Sequence, residues 1–163
     1  MVKKVQSAWG IVYYKDRVSN EAKFLLVKRY ALSKKVERVA PKGKIQNGEL
    51  PEQAAVREIG EEVGLSKDDL QVKEVLDTLS LQLYNDQGKL WVDKDITYFL
   101  VHYKGDPDAV NVTDSEWFLG VYKWATIKEI LSLVHYRDLR ELYRQAYGLL
   151  GKISVRDDFI SNL

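Results

Sequence analysis

The sequence contains no cysteine, which excludes disulfide bonds and thiolate metal sites. It also has almost no net charge, because 25 Lys and Arg residues face 24 Asp and Glu residues, so no overall field attracts nucleic acid or an anionic membrane. No apolar run approaches the roughly 20 residues that span a bilayer, and the first ten residues lack the apolar stretch of a signal peptide. We therefore expect a cytoplasmic protein without a membrane partner or stable nucleic-acid binding.

The length and composition of the chain are those of an ordinary globular domain. The 163 residues, 45% of them hydrophobic, are enough for one domain with a real core. We expect this single domain to occupy residues 1–163, with a poorly ordered tail from about residue 152.

Hydrophobic patterning predicts two β-hairpins and two helical regions. The hairpins are predicted at residues 7–30 and 71–103, the second around the turn sequence Asn-Asp-Gln-Gly at 85–88. Residues 31–39 are predicted to be a loop and 116–124 a strand, while 126–150 show the period of one long helix that stops at Gly151. Gly10 is expected to mark a bulge or a close backbone contact. This order of elements predicts an α+β fold packed in layers.

The most informative stretch is residues 43–65, GKIQNGELPEQAAVREIGEEVGL. On a helix, Glu58, Glu61 and Glu62 share one face, where like charges repel unless a cation neutralises them. Carboxylate oxygens are the ligands that Mg²⁺ prefers. The opposite face is apolar, Pro51 suits the first turn and Gly64 suits the end, so a helix with an exposed acidic cluster is predicted.

This stretch resembles the Nudix box, G-x5-E-x7-R-E-U-x-E-E-x-G-U, in which U is aliphatic. Every constrained position is matched, by Gly43, Glu49, Arg57, Glu58, Ile59, Glu61, Glu62, Gly64 and Leu65. A chance match in a chain of this length is expected on the order of once in 10⁷. The resemblance implies a Nudix-type α/β/α sandwich with a mixed central β-sheet, in which the box forms loop, helix and loop.

The resemblance also implies roles for the box residues. Glu58, Glu61 and Glu62 would be catalytic and would bind Mg²⁺, with Mn²⁺ as a possible substitute, or one of them would act as the base. Glu49 and Arg57 are interpreted as structural support, because a bidentate Arg–carboxylate pair could hold the loop against the helix, and Gly43 is interpreted as the loop hinge.

Outside the box, the candidates are chosen by charge and by position. Glu116 and Asp114 are candidates for a downstream catalytic base, Glu116 being the preferred one, with Asp95 behind them. The candidates for substrate binding are cations for the phosphates and a tyrosine that could stack on a base: Lys42, Lys44, Arg29 and Tyr84. Of the two histidines, His102 is interpreted as a strand residue and His135 as a helix-surface or packing residue.

The family resemblance implies a Mg²⁺-dependent pyrophosphohydrolase in which metal-bound water attacks phosphorus in a nucleoside diphosphate linked to another moiety. The sequence PKGK at 41–44 is similar to the PKGH of relatives that cleave diadenosine polyphosphates, which favours dinucleoside polyphosphates of the diadenosine tetraphosphate type. The alternatives are a (deoxy)nucleoside triphosphate pyrophosphatase that sanitises the nucleotide pool and an RNA 5′-pyrophosphohydrolase. The non-enzyme alternative is a ligand sensor, although sensors usually lose box glutamates. A monomer and a homodimer both remain open.

Overall fold

The computed structural model describes residues 2–31, 33–113 and 118–161. Within these ranges, seven strands and three α-helices follow one another as β1 (Val2–Lys15), β2 (Ala22–Tyr30), β3 (Val36–Val39), β4 (Lys42–Lys44), α1 (Pro51–Val63), β5 (Leu70–Asn85), β6 (Leu90–Tyr103), β7 (Phe118–Ala125), α2 (Ile127–Leu133) and α3 (Arg137–Ser161). Short 3₁₀ helices lie at Lys67–Asp69 and Pro107–Ala109. Among the described residues, no helix has both the length and the hydrophobicity that a membrane span requires.

The strands form one mixed sheet in the order β3-β2-β1-β6-β5, with β4 also paired to β1 and β7 to β2. Strands β1 and β6 are parallel along most of their length, whereas β1–β2 and β5–β6 are the two predicted antiparallel hairpins. Both hairpins are thus confirmed. In the second turn, the Asn85 side chain accepts hydrogen bonds from the backbone N–H groups of Gln87 and Gly88.

The sheet divides between β1 and β2. The two strands pair only near the hairpin turn, where Tyr13 lies opposite Phe24. Farther along, β4 replaces β2 beside β1, with Trp9 opposite Lys42. The second half of β2 pairs with β3, and β7 pairs with β2 along most of its other edge. The candidate site lies where these strands part.

Helices α1 and α3 cover opposite faces of the sheet. A Cβ atom on Gly10 would lie 2.6 Å from Ile59 Cδ1 of α1, so this face of β1 approaches α1. Because side chains alternate along a strand, Tyr13 points to the other face. There Phe24 packs against Tyr13 and against Tyr143 of α3, with ring centroids 6.4 and 5.5 Å away. The predicted α/β/α sandwich with a mixed sheet is therefore confirmed.

Gly10 makes the close contact that the sequence predicted. Its backbone N–H donates to the Pro41 carbonyl at 3.0 Å, which ties β1 to the segment just before β4. A side chain at this position would collide with Ile59. The glycine therefore allows α1 and the chain ahead of β4 to approach β1 together.

The prediction of a loop across residues 31–39 is wrong, because β3 (Val36–Val39) occupies its end. The segment was predicted to be a loop because it is rich in polar and basic residues. Glu37 lies opposite Arg29 in the β2–β3 register, and the two side chains form an ion pair at 2.7 Å. The polar pattern of the segment is therefore compatible with a strand, since a partner of opposite charge lies across the ladder.

The prediction of a single helix over residues 126–150 is also wrong. Helix α2 begins with a capping box between Thr126 and Glu129 and ends at Leu133, and Val134 is extended. Arg140 of α3 then donates to the Val134 carbonyl at 3.2 Å, which satisfies part of the end of α2. The predicted stop at Gly151 is wrong as well, because α3 continues to Ser161. The domain span and the order of the tail stay predictions.

Candidate active site

Helix α1 presents its carboxylates away from the core. Pro51 occupies the first turn, and Gln53 Oε1 accepts a hydrogen bond at 3.0 Å from the backbone N–H of Leu50, which compensates for a cap residue without a polar side chain. Gly64 ends the helix with a φ of 68°. Ile59 and Val63 are buried against the sheet. The opposite face therefore carries Glu58, Glu61 and Glu62, called here the carboxylate cluster.

Arg57 connects the loop before α1 to this cluster. Its Nε and Nη2 donate to the two oxygens of Glu49 at 2.7 and 3.0 Å, which is the bidentate pair that the sequence suggested. Nη1 donates to Glu58 at 2.8 Å and to Glu61 at 3.1 Å, and Nη2 also reaches the Lys44 carbonyl at 2.8 Å. One guanidinium thus contacts β4, the loop and two members of the carboxylate cluster. Its supporting role in catalysis stays a prediction.

Gly43 lies directly against the carboxylate cluster. A Cβ atom at this position would be 1.8 Å from the carboxyl carbon of Glu58, so any side chain would displace that carboxylate. Burial raises the pKa of Glu58, although the neighbouring Arg57 opposes the shift. The glycine is therefore required for the close approach of β4 to α1.

Glu62 is the member of the cluster nearest to β4. Its Oε2 accepts a hydrogen bond at 2.9 Å from the backbone N–H of Lys42. Burial raises the pKa of Glu62 to about 7, and the negative charge of Glu58 acts in the same direction. The backbone donor and the positive charges of Lys42 and Arg29 oppose this shift.

The carboxylate cluster provides oxygen ligands of the kind that a hard divalent cation prefers. In the part of the chain that the structure describes, no three His, Cys, Asp or Glu side chains converge as a metal cage. Arg57 Nη1 bonds both Glu58 and Glu61, and Glu62 is turned towards the β4 backbone. However, Mg²⁺ is usually bound by one or two carboxylates, with water and substrate phosphates completing its shell. Burial raises the pKa of both Glu58 and Glu62, and a bound cation would favour their charged forms.

A second group of charges lies beside the first. Lys42 Nζ lies 4.6 Å from the centroid of the Trp9 ring, where burial lowers the pKa of the lysine to about 7. The positive charges of Arg29 and Lys94 lower it further. Burial, Arg29 and Lys44 likewise lower the pKa of Lys94. Arg29, Lys42 and Lys94 are called here the cation cluster, and their mutual repulsion favours binding of an anion.

Arg29 is connected by hydrogen bonds to Glu37 and, through Glu37, to Tyr136. Its Nε donates to Glu37 Oε1 at 2.7 Å, and the other oxygen of Glu37 accepts a hydrogen bond from the Tyr136 hydroxyl. Glu37 is only 7% exposed. Lys94, Glu37 and Tyr136 are not among the site residues predicted from the sequence. Two strand registers would have identified Lys94 and Glu37. Lys94 lies opposite Val5 where β6 pairs with β1, and Glu37 lies opposite Arg29 where β3 pairs with β2.

The structure does not bring Tyr84 together with the cation cluster. Its ring packs against Trp91 at 5.2 Å, near the turn of the second hairpin. Trp91 and Lys94 are an odd number of residues apart on β6, so their side chains point to opposite faces. The stacking of Tyr84 on a base is untested, and this position of the ring argues against it.

The remaining candidates also differ in position. Lys44 contributes its carbonyl to Arg57 and its charge acts on Lys94. Asp95 accepts a hydrogen bond from Ser80 Oγ at 2.7 Å. His102 lies in β6, as predicted, and its ring stacks on Tyr13 with the ring centroids 4.8 Å apart. The candidate base Glu116 and its alternative at position 114 lie outside the described residues.

Comparison with known proteins identifies the family of this site. The NUDIX domain model matches residues 5–146. The chain belongs to the Nudix family. It is 28% identical over 147 residues to the bis(5′-nucleosyl)-tetraphosphatase (asymmetrical) of Caenorhabditis elegans, covering 90% of this chain and 98% of that protein. The match supports a Nudix hydrolase that acts on phosphoric anhydride bonds.

Similarity to solved structures supports the same fold. The crystal structure of a C. elegans Ap4A hydrolase binary complex has a TM-score of 0.70 and 26% identity, covering 91% of this chain and 98% of that one. The E. coli dihydroneopterin triphosphate pyrophosphohydrolase has a TM-score of 0.64 at 18% identity, with 87% of this chain and 94% of that one covered. The second similarity concerns the fold alone.

Proposed function

We propose that this Nudix hydrolase cleaves dinucleoside polyphosphates of the diadenosine tetraphosphate type, with Mg²⁺ bound by Glu58, Glu61 and Glu62. The observation that carries the proposal is the contact between the two clusters at Lys42. Its backbone N–H binds Glu62 at 2.9 Å, while its ammonium group lies with Arg29 and Lys94. A polyphosphate chain needs both kinds of group, cations for its oxygens and carboxylates for its metal ion.

The residues present divide the reaction between binding and charge neutralisation. The cation cluster would bind phosphate oxygens and orient the chain across the carboxylate cluster. The oxygen of a water molecule attacks one phosphorus, the anhydride P–O bond breaks, and the departing phosphate oxygen keeps the electron pair. The attacking water loses a proton to a carboxylate. A divalent ion, when bound, neutralises the charge that develops on the phosphates. Most of the rate enhancement is then due to positioning and electrostatics.

The choice of a dinucleoside substrate is supported by the relative from C. elegans, whose name gives that activity and which aligns with 90% of this chain. The lead-in sequence PKGK at 41–44 is part of the same resemblance. Strand β4, formed by this segment, supplies Lys42 to the cation cluster and places Gly43 against Glu58 of the carboxylate cluster. The segment that suggested the substrate therefore joins the two clusters.

Product analysis by anion-exchange chromatography tests the proposal. The panel holds diadenosine tetraphosphate, ordinary and oxidised purine nucleoside triphosphates, ADP-ribose, a diphosphoinositol polyphosphate and a 5′-triphosphorylated RNA, each with Mg²⁺ and with excess chelator. We expect ATP and AMP from diadenosine tetraphosphate, at the highest kcat/KM of the panel and only with metal. Hydrolysis in water labelled with oxygen-18 then identifies the attacked phosphorus, because the label enters only one of the two products.

Other results would redirect the proposal. Pyrophosphate and a monophosphate from a triphosphate, at a higher kcat/KM, would assign the enzyme to the nucleotide-pool class. Pyrophosphate released from the RNA would favour the RNA 5′-pyrophosphohydrolase. Undiminished turnover in excess chelator would contradict the metal role of Glu58, Glu61 and Glu62.

A further inference from the structure

A chain of hydrogen bonds links the segment between α2 and α3 to the cation cluster. The Tyr136 hydroxyl donates to Glu37 on β3, and Glu37 accepts from Arg29 on β2. We infer that Glu37 and Tyr136 are positioning residues that orient Arg29 to bind the polyphosphate chain of the substrate. This inference rests on the proposed function, since it assigns to the same site a determinant of phosphate binding.

The geometry leaves one side of Arg29 for a ligand. Glu37 lies directly opposite Arg29 in the β2–β3 register and engages Nε at 2.7 Å. Among the described residues, no hydrogen-bond acceptor engages the two terminal nitrogens of Arg29. A guanidinium held at Nε presents these nitrogens in a fixed plane, which suits two oxygens of one phosphate group. The Glu37 contact therefore restricts the direction in which Arg29 can bind.

Arg29 lies close to the other members of the cation cluster and to the carboxylate cluster, so the direction in which its guanidinium points affects where a phosphate group binds. Its charge lowers the pKa of both Lys42 and Lys94, so all three cations lie within electrostatic range of one another. It also acts on Glu62 of the carboxylate cluster. A phosphate group bound by Arg29 would thus lie near Lys42, whose backbone N–H binds Glu62 of the carboxylate cluster at 2.9 Å.

The Arg29–Glu37 ion pair need not contribute much to the stability of the fold. A buried ion pair often contributes little, because the cost of removing both charges from water offsets their attraction. A carboxylate next to a phosphate site also repels the ligand unless its own charge is neutralised. Here Arg29 and the Tyr136 hydroxyl bind the two oxygens of Glu37, which is 7% exposed. Both partners of Glu37 thus reduce the repulsion while they fix its orientation.

Binding of inorganic tripolyphosphate without metal, measured by titration calorimetry, tests this inference apart from turnover. Tyr136→Phe removes one hydroxyl, and Glu37→Gln removes the charge of the carboxylate while it keeps an acceptor. We expect either substitution to weaken tripolyphosphate binding about three- to tenfold and to raise KM for diadenosine tetraphosphate, with kcat changed less than twofold. Tyr147→Phe, on an exposed tyrosine of α3, is the matched control and should leave both quantities unchanged.

A double-mutant cycle separates positioning from a general effect on the structure. In an Arg29→Ala background, which itself binds more weakly, Tyr136→Phe should cause no further loss of tripolyphosphate affinity. An equal loss in both backgrounds, or no loss in the single variant, would overturn the inference. If Glu37→Gln does not fold, as judged by thermal unfolding, the cycle with Tyr136→Phe still decides the question.

The cycle also distinguishes this inference from the proposed function. If the wild type binds tripolyphosphate and the cycle shows coupling, but diadenosine tetraphosphate is not cleaved, the substrate proposal fails and the positioning role stands. If the wild type cleaves diadenosine tetraphosphate but the cycle shows no coupling, the substrate proposal stands and the positioning role fails. Absence of tripolyphosphate binding by the wild type would overturn the positioning role.

Discussion

The carboxylate cluster and the cation cluster touch at Lys42 and Glu62, but the chain assembles them differently. Glu58, Glu61 and Glu62 come from two turns of one helix, and their spacing alone puts them on one face. The cations come from β2, β4 and β6, and Lys94 is 65 positions after Arg29 in the sequence. The first cluster depends on local geometry and the second on strand pairing.

This difference predicts how each cluster responds to change. Arg57 alone fixes two members of the carboxylate cluster, so one substitution can alter the whole cluster. The cations repel one another and are held by separate strands, so losing one weakens binding without moving the others. We therefore expect substitutions in the carboxylate cluster to reduce kcat strongly and substitutions in the cation cluster to raise KM moderately.

The largest effect is expected for Glu62→Gln. The substitution keeps the side-chain shape and an acceptor for the Lys42 amide, but it removes the negative charge that a metal ion needs. Metal-assisted stabilisation amounts to several kcal/mol of the barrier, so kcat should fall by about a thousandfold or more. Steady-state hydrolysis at saturating Mg²⁺ measures the change.

A matched control for this variant lies on the same helix. Glu52→Gln changes an exposed glutamate in the first turn of α1 and should leave kcat within about twofold. Thermal unfolding checks that both variants fold. A Glu62→Gln protein that keeps its full rate would remove Glu62 from the metal ligands.

Arg57→Lys should have the next largest effect. Lysine keeps the charge but cannot bind Glu49 with two parallel hydrogen bonds while it also contacts Glu58, Glu61 and the Lys44 carbonyl. Loss of such supporting contacts typically costs 10- to 100-fold in metal affinity or activity, so we expect kcat/KM to fall by about that factor. Arg144→Lys, in an exposed pair on α3, is the control. Unchanged kinetics for Arg57→Lys would mean that the pair with Glu49 does not support the site.

The carboxylate cluster could be predicted from the sequence, and the cation cluster only in part. The box spacing correctly placed α1, its end at Gly64 and the pairing of Arg57 with Glu49, because these depend on residues fewer than ten apart. Lys42 was chosen because it lies in the loop nearest the acids, and Arg29 as a cation at the end of the second strand. Lys94 was missed, since its place beside them follows from the parallel register of β6 on β1.

The errors in secondary structure have a similar physical origin. Strand β3 was read as a loop because its polar residues have no partner within the segment, whereas in the sheet Glu37 faces Arg29. The break between α2 and α3 was missed because apolar periodicity continues across it. The capping box of Thr126 with Glu129 and the extended Val134 determine the extent of α2. At this break the capping residues were therefore more informative than the period of the apolar residues, whereas Gly151 was a misleading stop signal.

Lys94→Gln measures how much one member of the cation cluster contributes. Hydrogen bonds to charged groups contribute about 1.5–3 kcal/mol, and at the lower end of that range KM for diadenosine tetraphosphate should rise about tenfold, with kcat nearly unchanged. The loss should shrink at high salt if screening reaches the site. Lys73→Gln, on an exposed lysine of β5, is the control. A fall in kcat without a change in KM would mean that Lys94 acts in the transition state and that the two clusters are not functionally distinct.

The smallest effect is expected for Tyr84→Ala. Tyr84 is 50% exposed and packs on Trp91, on the face of the hairpin opposite Lys94, so a nucleoside bound near the cation cluster would not reach it. KM for diadenosine tetraphosphate should therefore change less than about twofold, as for Tyr147→Ala, a tyrosine of equal exposure on α3. A several-fold rise in KM for Tyr84→Ala, with tripolyphosphate binding unchanged, would instead indicate that Tyr84 stacks on a base. The substrate would then extend around the edge of the sheet, and the binding surface would include both faces of the second hairpin.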